Sequence, residues 1–224
     1  MISKQREYPD YSSKEYWENK YKDISTTFDF YDEYEIIKQS IEDLKLSKRC
    51  TILNIGIGNS EFCEKMYDEG YKKIYNIDFS RTVIHFMKER NKKLRSSMHF
   101  ETMDAKEMSY ENNKFDIVFD KGVFDCVLCG TNTNNINKFL KEVYRVIKPK
   151  GIYFMISNTG PEERIDFLLG CGLKYEIDCQ KISTFEDECK NEDVKEDLKK
   201  THYIYICKKD EEEEEEEEEE SEDR

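Results

Sequence analysis

Gly56 and Gly58 stand one residue apart at the end of an apolar run, in the stretch ILNIGIGNSEF of residues 52–62. Glycines so placed let the backbone turn sharply and approach a ligand with no side chain between. Three carboxylates close later apolar runs: Asp78 in KIYNIDF, Asp104 in FETMDA and Asp120 in FDIVFD. Asp78 follows Gly56 by twenty-two residues, an interval at which an acidic side chain can accept both hydroxyl hydrogens of a ribose held over the glycine turn. Asp104 can accept from an exocyclic amine such as that of adenine. A G-x-G also serves as a plain strand-to-helix turn, and Asp often caps turns and helices. The common register of all four positions is what points to one ligand.

That ligand is a poor match to a dinucleotide. The third glycine of a G-x-G-x-x-G fingerprint would fall at position 61, where the chain has Glu61. A carboxylate in the first turn of the helix opposes a pyrophosphate seated at its N-terminus. A nucleoside without phosphate fits better, and S-adenosylmethionine carries adenine, ribose, a sulfonium cation and an amino-acid end.

The elements that must hold these residues follow from periodicity. Residues 36–46 put Ile37, Ile41 and Leu44 on one helical stripe; 51–55 then read as a strand, and helix spacing resumes at Phe62, Cys63, Met66 and Tyr67, closing near Gly70. Residues 73–79 make a second strand. Ser80 caps a helix whose Val83, Ile84, Met87 and Leu94 face inward. Residues 98–103 and 115–120 make strands three and four, a helix spans 136–147 and stops at KPKG, and 152–157 is strand five. A helix over 161–170 precedes strands at 174–183 and 202–208; no helix fits between these last two, so an antiparallel pairing is expected. The expected fold class is α/β: a Rossmann-like, seven-stranded, mainly parallel doubly wound sheet with a C-terminal antiparallel hairpin. In such a sheet ligands bind outside the carboxyl ends of the strands, where Gly56, Asp78, Asp104 and Asp120 fall.

Charge supports a single folded unit. The chain has 224 residues and a net charge of −14, but the acidic run over 210–224 carries −12 of it, leaving −2, the difference, for residues 1–209. A near-neutral body lacks the basic surface that nucleic acid requires, so no nucleic-acid partner is expected. The acidic run has no apolar residue to bury and is expected to be disordered and solubilising. No run of eighteen apolar residues and no signal-peptide segment is present, which gives no membrane association and a cytoplasmic expectation. Cys126 and Cys129 form a C-x-x-C, yet no second such pair completes a tetrahedral metal site, and no metal is expected.

The segments ILNIGIGNS, YNIDFSRTVIHFM, FETMDA, FDIVFDKGVFD and LKEVYRVIKPKG resemble the ordered motifs of class I S-adenosylmethionine-dependent methyltransferases. The combination of GxGNS, NIDxS, ETMDA and DKGxxD is similar to the subgroup that methylates lysines of translation elongation factor 1-alpha, including the methyltransferase domain related to the endothelin-converting enzyme 2 locus. The resemblance covers about residues 14–160. It implies one methyltransferase domain over 1–209, with 1–35 covering the cofactor, S-adenosylmethionine. It also implies cofactor contacts from Trp17 and Tyr21 in YWENKY, Phe30 in FDFY, Gly56 and Gly58 in the glycine loop, Asp78 with Phe79, Asp104 with Ala105, and Lys121. Aromatic faces there would close on adenine and sulfonium, the latter by cation–π attraction. Two departures from the family pattern stand out. Ile57 replaces a common cysteine, a change of small effect if the side chain points into the core. Val123 and Phe124 replace a Thr-Leu pair on the acceptor side, which weakens any inference of the same target lysine.

The implied reaction moves a methyl group from sulfur to an acceptor amine, in which the protein mainly orients and desolvates its reactants. A lysine acceptor must first lose a proton from a group with a free pKa of about 10.4. Asp120 and Asp125, in DKGVFD, are the candidates to position that amine or help deprotonate it. The leading reading is a protein-lysine methyltransferase with a protein such as elongation factor 1-alpha as partner. A small-molecule methyltransferase and a non-catalytic interaction module remain as alternatives.

Overall fold

Residues 9–24, 26–31, 34–130, 134–184 and 200–211 are described by the structure, a computed structural model. The acidic run expected to be disordered lies outside these residues apart from Asp210 and Glu211, as does most of the charged insert before the last strand.

Seven described strands form one sheet: β1 (Thr51–Ile55), β2 (Lys73–Asp78), β3 (His99–Thr102), β4 (Phe115–Lys121), β5 (Ile147–Ser157), β6 (Tyr175–Thr184) and β7 (Lys200–Lys209), in the order β3-β2-β1-β4-β5-β7-β6. The first five run parallel. Strand β7 is antiparallel to both β5 and β6, as expected for the C-terminal pair. Order reverses between β1 and β4, which opens a crevice at their carboxyl ends.

Alternation along the strands supplies two cores, because successive side chains point to opposite faces. Ile52, Ile117 and Phe154 face one layer, built from α1 (Lys14–Lys20), α2 (Tyr34–Asp43), α3 (Phe62–Asp68) and α4 (Arg81–Asn91). Leu53, Val118 and Met155 face the other, built from α5 (Val123–Leu128), α6 (Asn134–Val146) and α7 (Pro161–Leu168). Helix α6 buries Ile136, Phe139, Leu140, Val143 and Val146, spaced as an amphipathic stripe requires. Ser80 caps α4, its side chain accepting from the Val83 amide at 3.3 Å.

Two local expectations are corrected. Leu94 was expected to face inward, but it is 79% exposed. Helix α4 ends at Asn91, whose side-chain amide turns back to the Met87 carbonyl at 2.9 Å, so position 94 lies past the buried stripe. The KPKG segment does not separate helix from strand. Strand β5 already begins at Ile147, and its register on β4 shifts between Phe115 and Ile117, so residues 148–151 form a bulge inside the strand. Gly151 is required there because a β-carbon would stand 3.0 Å from the Asp116 carbonyl oxygen and 2.9 Å from that of Lys148.

Candidate functional site

Strand β1 ends in the glycine loop, where Gly56 and Gly58 both adopt left-handed conformations, φ +55° and +53°. A side chain at Gly56 would collide with Val123, and a β-carbon at Gly58 would stand 2.8 Å from the Tyr21 hydroxyl. The Gly58 amide donates to Asp78 Oδ2 at 3.0 Å. Behind the loop, Arg90 of α4 donates to the Asn59 and Ser60 carbonyls at 3.2 and 3.1 Å and grips Glu64 with two bonds of 2.7 and 3.0 Å. Glu61 begins α3 with its side chain exposed and making no cap.

Asp78, at the end of β2, is 4% exposed. Besides Gly58 it accepts from the Ser80 amide at 2.9 Å. Burial pushes its carboxyl up to about 6, against these two amides, with Glu18 adding to the rise and Lys14 opposing it. A carboxylate has about four acceptor positions, so lone pairs remain for further donors. Glu18 itself ties α1 to the start of α4, accepting from Ser80 Oγ at 3.0 Å and the Arg81 amide at 2.8 Å. Asp104 lies after β3 and bonds within its own turn, to the Lys106 amide at 2.9 Å and the Lys106 ammonium at 3.1 Å.

Aromatic residues of the N-terminal segment close over these groups. The Trp17 and Tyr21 rings stack at 5.7 Å and 25°, Phe30 meets Trp17 edge-on at 6.1 Å, and the Trp17 indole donates to the Tyr11 carbonyl at 2.8 Å. Lys121 ends β4 with its ammonium on Asp29, which also accepts from the Ser60 hydroxyl.

One cleft gathers Trp17, Tyr21, Phe30, Gly56, Gly58, Asp78, Phe79, Asp104, Ala105, Asp120 and Lys121. Asp125 is the one expected site residue outside its lining. The Asp125 carboxylate instead takes the Tyr31 hydroxyl, Ser157 Oγ at 2.8 Å, the Asn158 amide at 3.2 Å and Arg164 Nη2 at 3.1 Å. Asp120, 1% exposed, accepts from the Val123 amide at 2.7 Å, the Phe124 amide at 3.0 Å and the Tyr153 hydroxyl at 2.7 Å. It thus caps α5, whose N-cap position is Gly122 and has no side chain to do so. Burial pushes the Asp120 carboxyl up to about 7, despite these bonds, with the Asp125 charge adding to the rise.

Sequence reasoning also missed parts of the wall. Ile57 does not point solely into the core; it is half-buried and lines the cleft. Tyr11, Phe28, Ser60 and Cys126 line it as well, and the density of aromatic residues before the glycine loop was the available signal for the first two. No group of metal-ligating side chains occurs among the described residues.

The sequence profile described as "Methyltransferase domain" matches residues 46–220. This chain belongs to the methyltransferase family. S-adenosylmethionine is its cofactor. Among curated proteins, the methyltransferase is 37% identical over 153 residues to "eEF1A lysine and N-terminal methyltransferase" of Mus musculus, covering 66% of this chain and 22% of that protein. The human protein of the same name is 36% identical over 152 residues, with the same shares. "EEF1A lysine methyltransferase 4" of Mus musculus is 26% identical over 166 residues, covering 69% of this chain and 64% of that one. The chain therefore spans about a fifth of the length of the first two relatives. Among solved structures, a SAM-dependent methyltransferase from Methanosarcina mazei superposes with a TM-score of 0.60 at 17% identity, covering 83% of this chain and all of that one. That likeness establishes the shared fold.

The methyltransferase cleft suits this cofactor on its own chemistry. Asn54 Nδ2 bonds Asn76, while its Oδ1 is buried at the cleft with no partner among the described residues and can accept from a bound donor. Two glycine positions keep side chains off the wall, and its remaining surface is mainly apolar and aromatic, as a flat base and a sulfonium require.

Proposed function

We propose that the chain methylates an amine of a protein, the ε-amine of a lysine on a substrate like translation elongation factor 1-alpha, in the cytoplasm and without nucleic-acid or membrane partners. The observation that carries the acceptor class is the 37% identity, spread over 153 residues, to a relative named for methylating lysine and N-terminal amines of that factor. In this reading residues 1–209 form one catalytic unit with 1–35 as its cover.

The bound cofactor supplies an electrophilic methyl group on a positively charged sulfur. Asp104 and Ala105 flank the adenine, Asp78 takes the ribose hydroxyls with Phe79 beside the base, and Gly56 and Gly58 give close backbone approach. Trp17, Tyr21 and Phe30 exclude water and present ring faces to the cation, and Lys121 closes the β4 end. Asp120 is assigned the acceptor proton: it lines the cleft, and its carboxyl, pushed up to about 7, can exchange a proton at neutral pH. Asp125, held by Tyr31, Ser157 and Arg164, is assigned a positioning role for the 120–125 turn.

The test incubates the purified chain with radiolabelled S-adenosylmethionine and recombinant elongation factor 1-alpha, then maps labelled peptides by mass. Label on a lysine supports the reading. Label on the N-terminal amine alone changes the acceptor to an α-amine. Absence of label from protein, with label in small molecules of a cell extract, overturns it.

A further inference from the structure

The two ends of the sheet carry opposite charge. Asp78, Asp104 and Asp120 gather at the cleft, whereas basic residues crowd the opposite edge, where the parallel strands begin and β7 ends. Arg49 precedes β1, Lys73 opens β2, Lys148 and Lys150 sit in the bulge of β5, Lys174 precedes β6 and Lys208 lies at the close of β7. Arg49, Lys73, Lys174 and Lys208 are exposed and have no ion pair among the described residues. Of the carboxylates on this edge, Asp116 is engaged by Lys148 at 2.8 Å and by the Thr51 amide at 2.7 Å, and Glu176 stands in register with Lys208.

The acidic run leaves the sheet at this same edge. The Asp210 amide donates to the Lys174 carbonyl at 3.2 Å, and Glu211 pairs with Lys150 at 2.5 Å. Lys150, Lys208, Lys209, Asp210 and Glu211 line one pocket with Glu176. Glu211 is the first of ten consecutive glutamates, so the pair with Lys150 is the first contact of a long acidic segment on a basic surface. Reach is sufficient. Residues 212–224 number thirteen, which extend to about 43 Å, and β2 with Lys73 lies four strands from β7, about 19 Å at the spacing of a sheet.

We propose that this basic edge is a docking surface for acidic polypeptide, and that its occupant in the free chain is the chain's own run over 212–224. Held there by charge, the run neutralises a surface that polyanions would otherwise seek, at the end of the sheet away from the cleft.

A fluorescein-labelled peptide of sequence 212–224 is titrated by anisotropy against the full chain and against a full chain whose Glu212–Glu220 are replaced by glutamine. A tethered run has an effective concentration of about a millimolar, so the unaltered chain should bind the peptide about tenfold more weakly than the neutralised one. Binding by the neutralised chain should vanish at about 1 M salt, where screening acts within about 3 Å. Changing Lys73, Lys174 and Lys208 together to glutamate in the neutralised chain should abolish it, and the same change at exposed Lys22, Lys88 and Lys138 should not. Fluorescence of Trp17, the single tryptophan of the chain and part of the cleft wall, on adding S-adenosylmethionine checks that each variant keeps its cleft. Equal affinity of the unaltered and neutralised chains, or binding that survives the change at the edge, overturns the proposal. A short single-stranded RNA that binds the neutralised chain more tightly than the peptide also overturns it, making the edge a nucleic-acid surface. Should the triple variant fail to fold, the comparison of unaltered and neutralised chains at low and high salt decides.

Discussion

The amide of Gly58 donates to Asp78 Oδ2 at 3.0 Å, which joins the glycine loop to the end of the neighbouring strand. This contact ties the loop to the strand end and, together with the Ser80 amide, orients the carboxylate that lines the cleft. Gly58→Ala keeps the amide but must hold φ near +53° and push the Tyr21 hydroxyl aside. Left-handed alanine costs about 1 to 2 kcal/mol, and we expect cofactor affinity to fall about tenfold, read by Trp17 fluorescence. Unchanged affinity would show that Tyr21 does not press on the bound cofactor.

Cofactor affinity should also depend on pH through Asp78. Its carboxyl is pushed up to about 6, so below that pH it is protonated and accepts fewer hydrogen bonds. Affinity is expected to be constant above about pH 7 and to weaken as pH falls through 6. Asp78→Asn should bind weakly at every pH, and a titration that stays flat in the unaltered chain would remove the carboxylate from ribose recognition.

Asp120 predicts a stability effect of the opposite sense to an ordinary salt-bridged carboxylate. Its folded pKa, about 7, lies above the unfolded value of about 3.9, so the folded chain binds more protons between these limits. Its contribution is fully present below about pH 4 and is lost as pH rises toward 7. Urea unfolding of the cofactor-free chain should show this decline, to which the raised Asp78 carboxyl adds, and Asp120→Asn should make it shallower while lowering turnover more than cofactor affinity. Normal methylation by Asp120→Asn would exclude the proton-accepting role.

Arg90 carries the loop from behind. Arg90→Ala leaves Glu64, whose side chain is 9% exposed, without its partner and frees the Asn59 and Ser60 carbonyls. Removing charged hydrogen bonds of this kind costs about 2 to 3 kcal/mol, to be measured by urea unfolding. Cofactor affinity should fall as well, and full affinity in a destabilised Arg90→Ala would show that the loop holds its shape without the clamp.

Leu94 gives a control on the fold. Leu94→Lys, on the surface past the end of α4, should change stability by less than about 0.5 kcal/mol. Met87→Ala, in the same helix but fully buried, should cost about 2 to 5 kcal/mol.

The sequence by itself determined the strand ends that carry Gly56, Asp78, Asp104 and Asp120, because alternation, glycine turns and caps act over a few residues and leave a local record. The Ser80 cap and the antiparallel C-terminal strands were legible for the same reason. Tertiary structure alone decided what the charged side chains do. Tyr31 meets Asp125 across 94 positions and Asp29 meets Lys121 across 92, distances over which no periodicity speaks. The cap of α5 by Asp120 is local, but the Tyr153 hydroxyl reaches that carboxylate from the neighbouring β5, and Asp125 left the cleft because Tyr31, Ser157 of β5 and Arg164 of α7 converge on it. Pairing of that kind is settled by which strands are neighbours, and strand adjacency is a property of the assembled sheet.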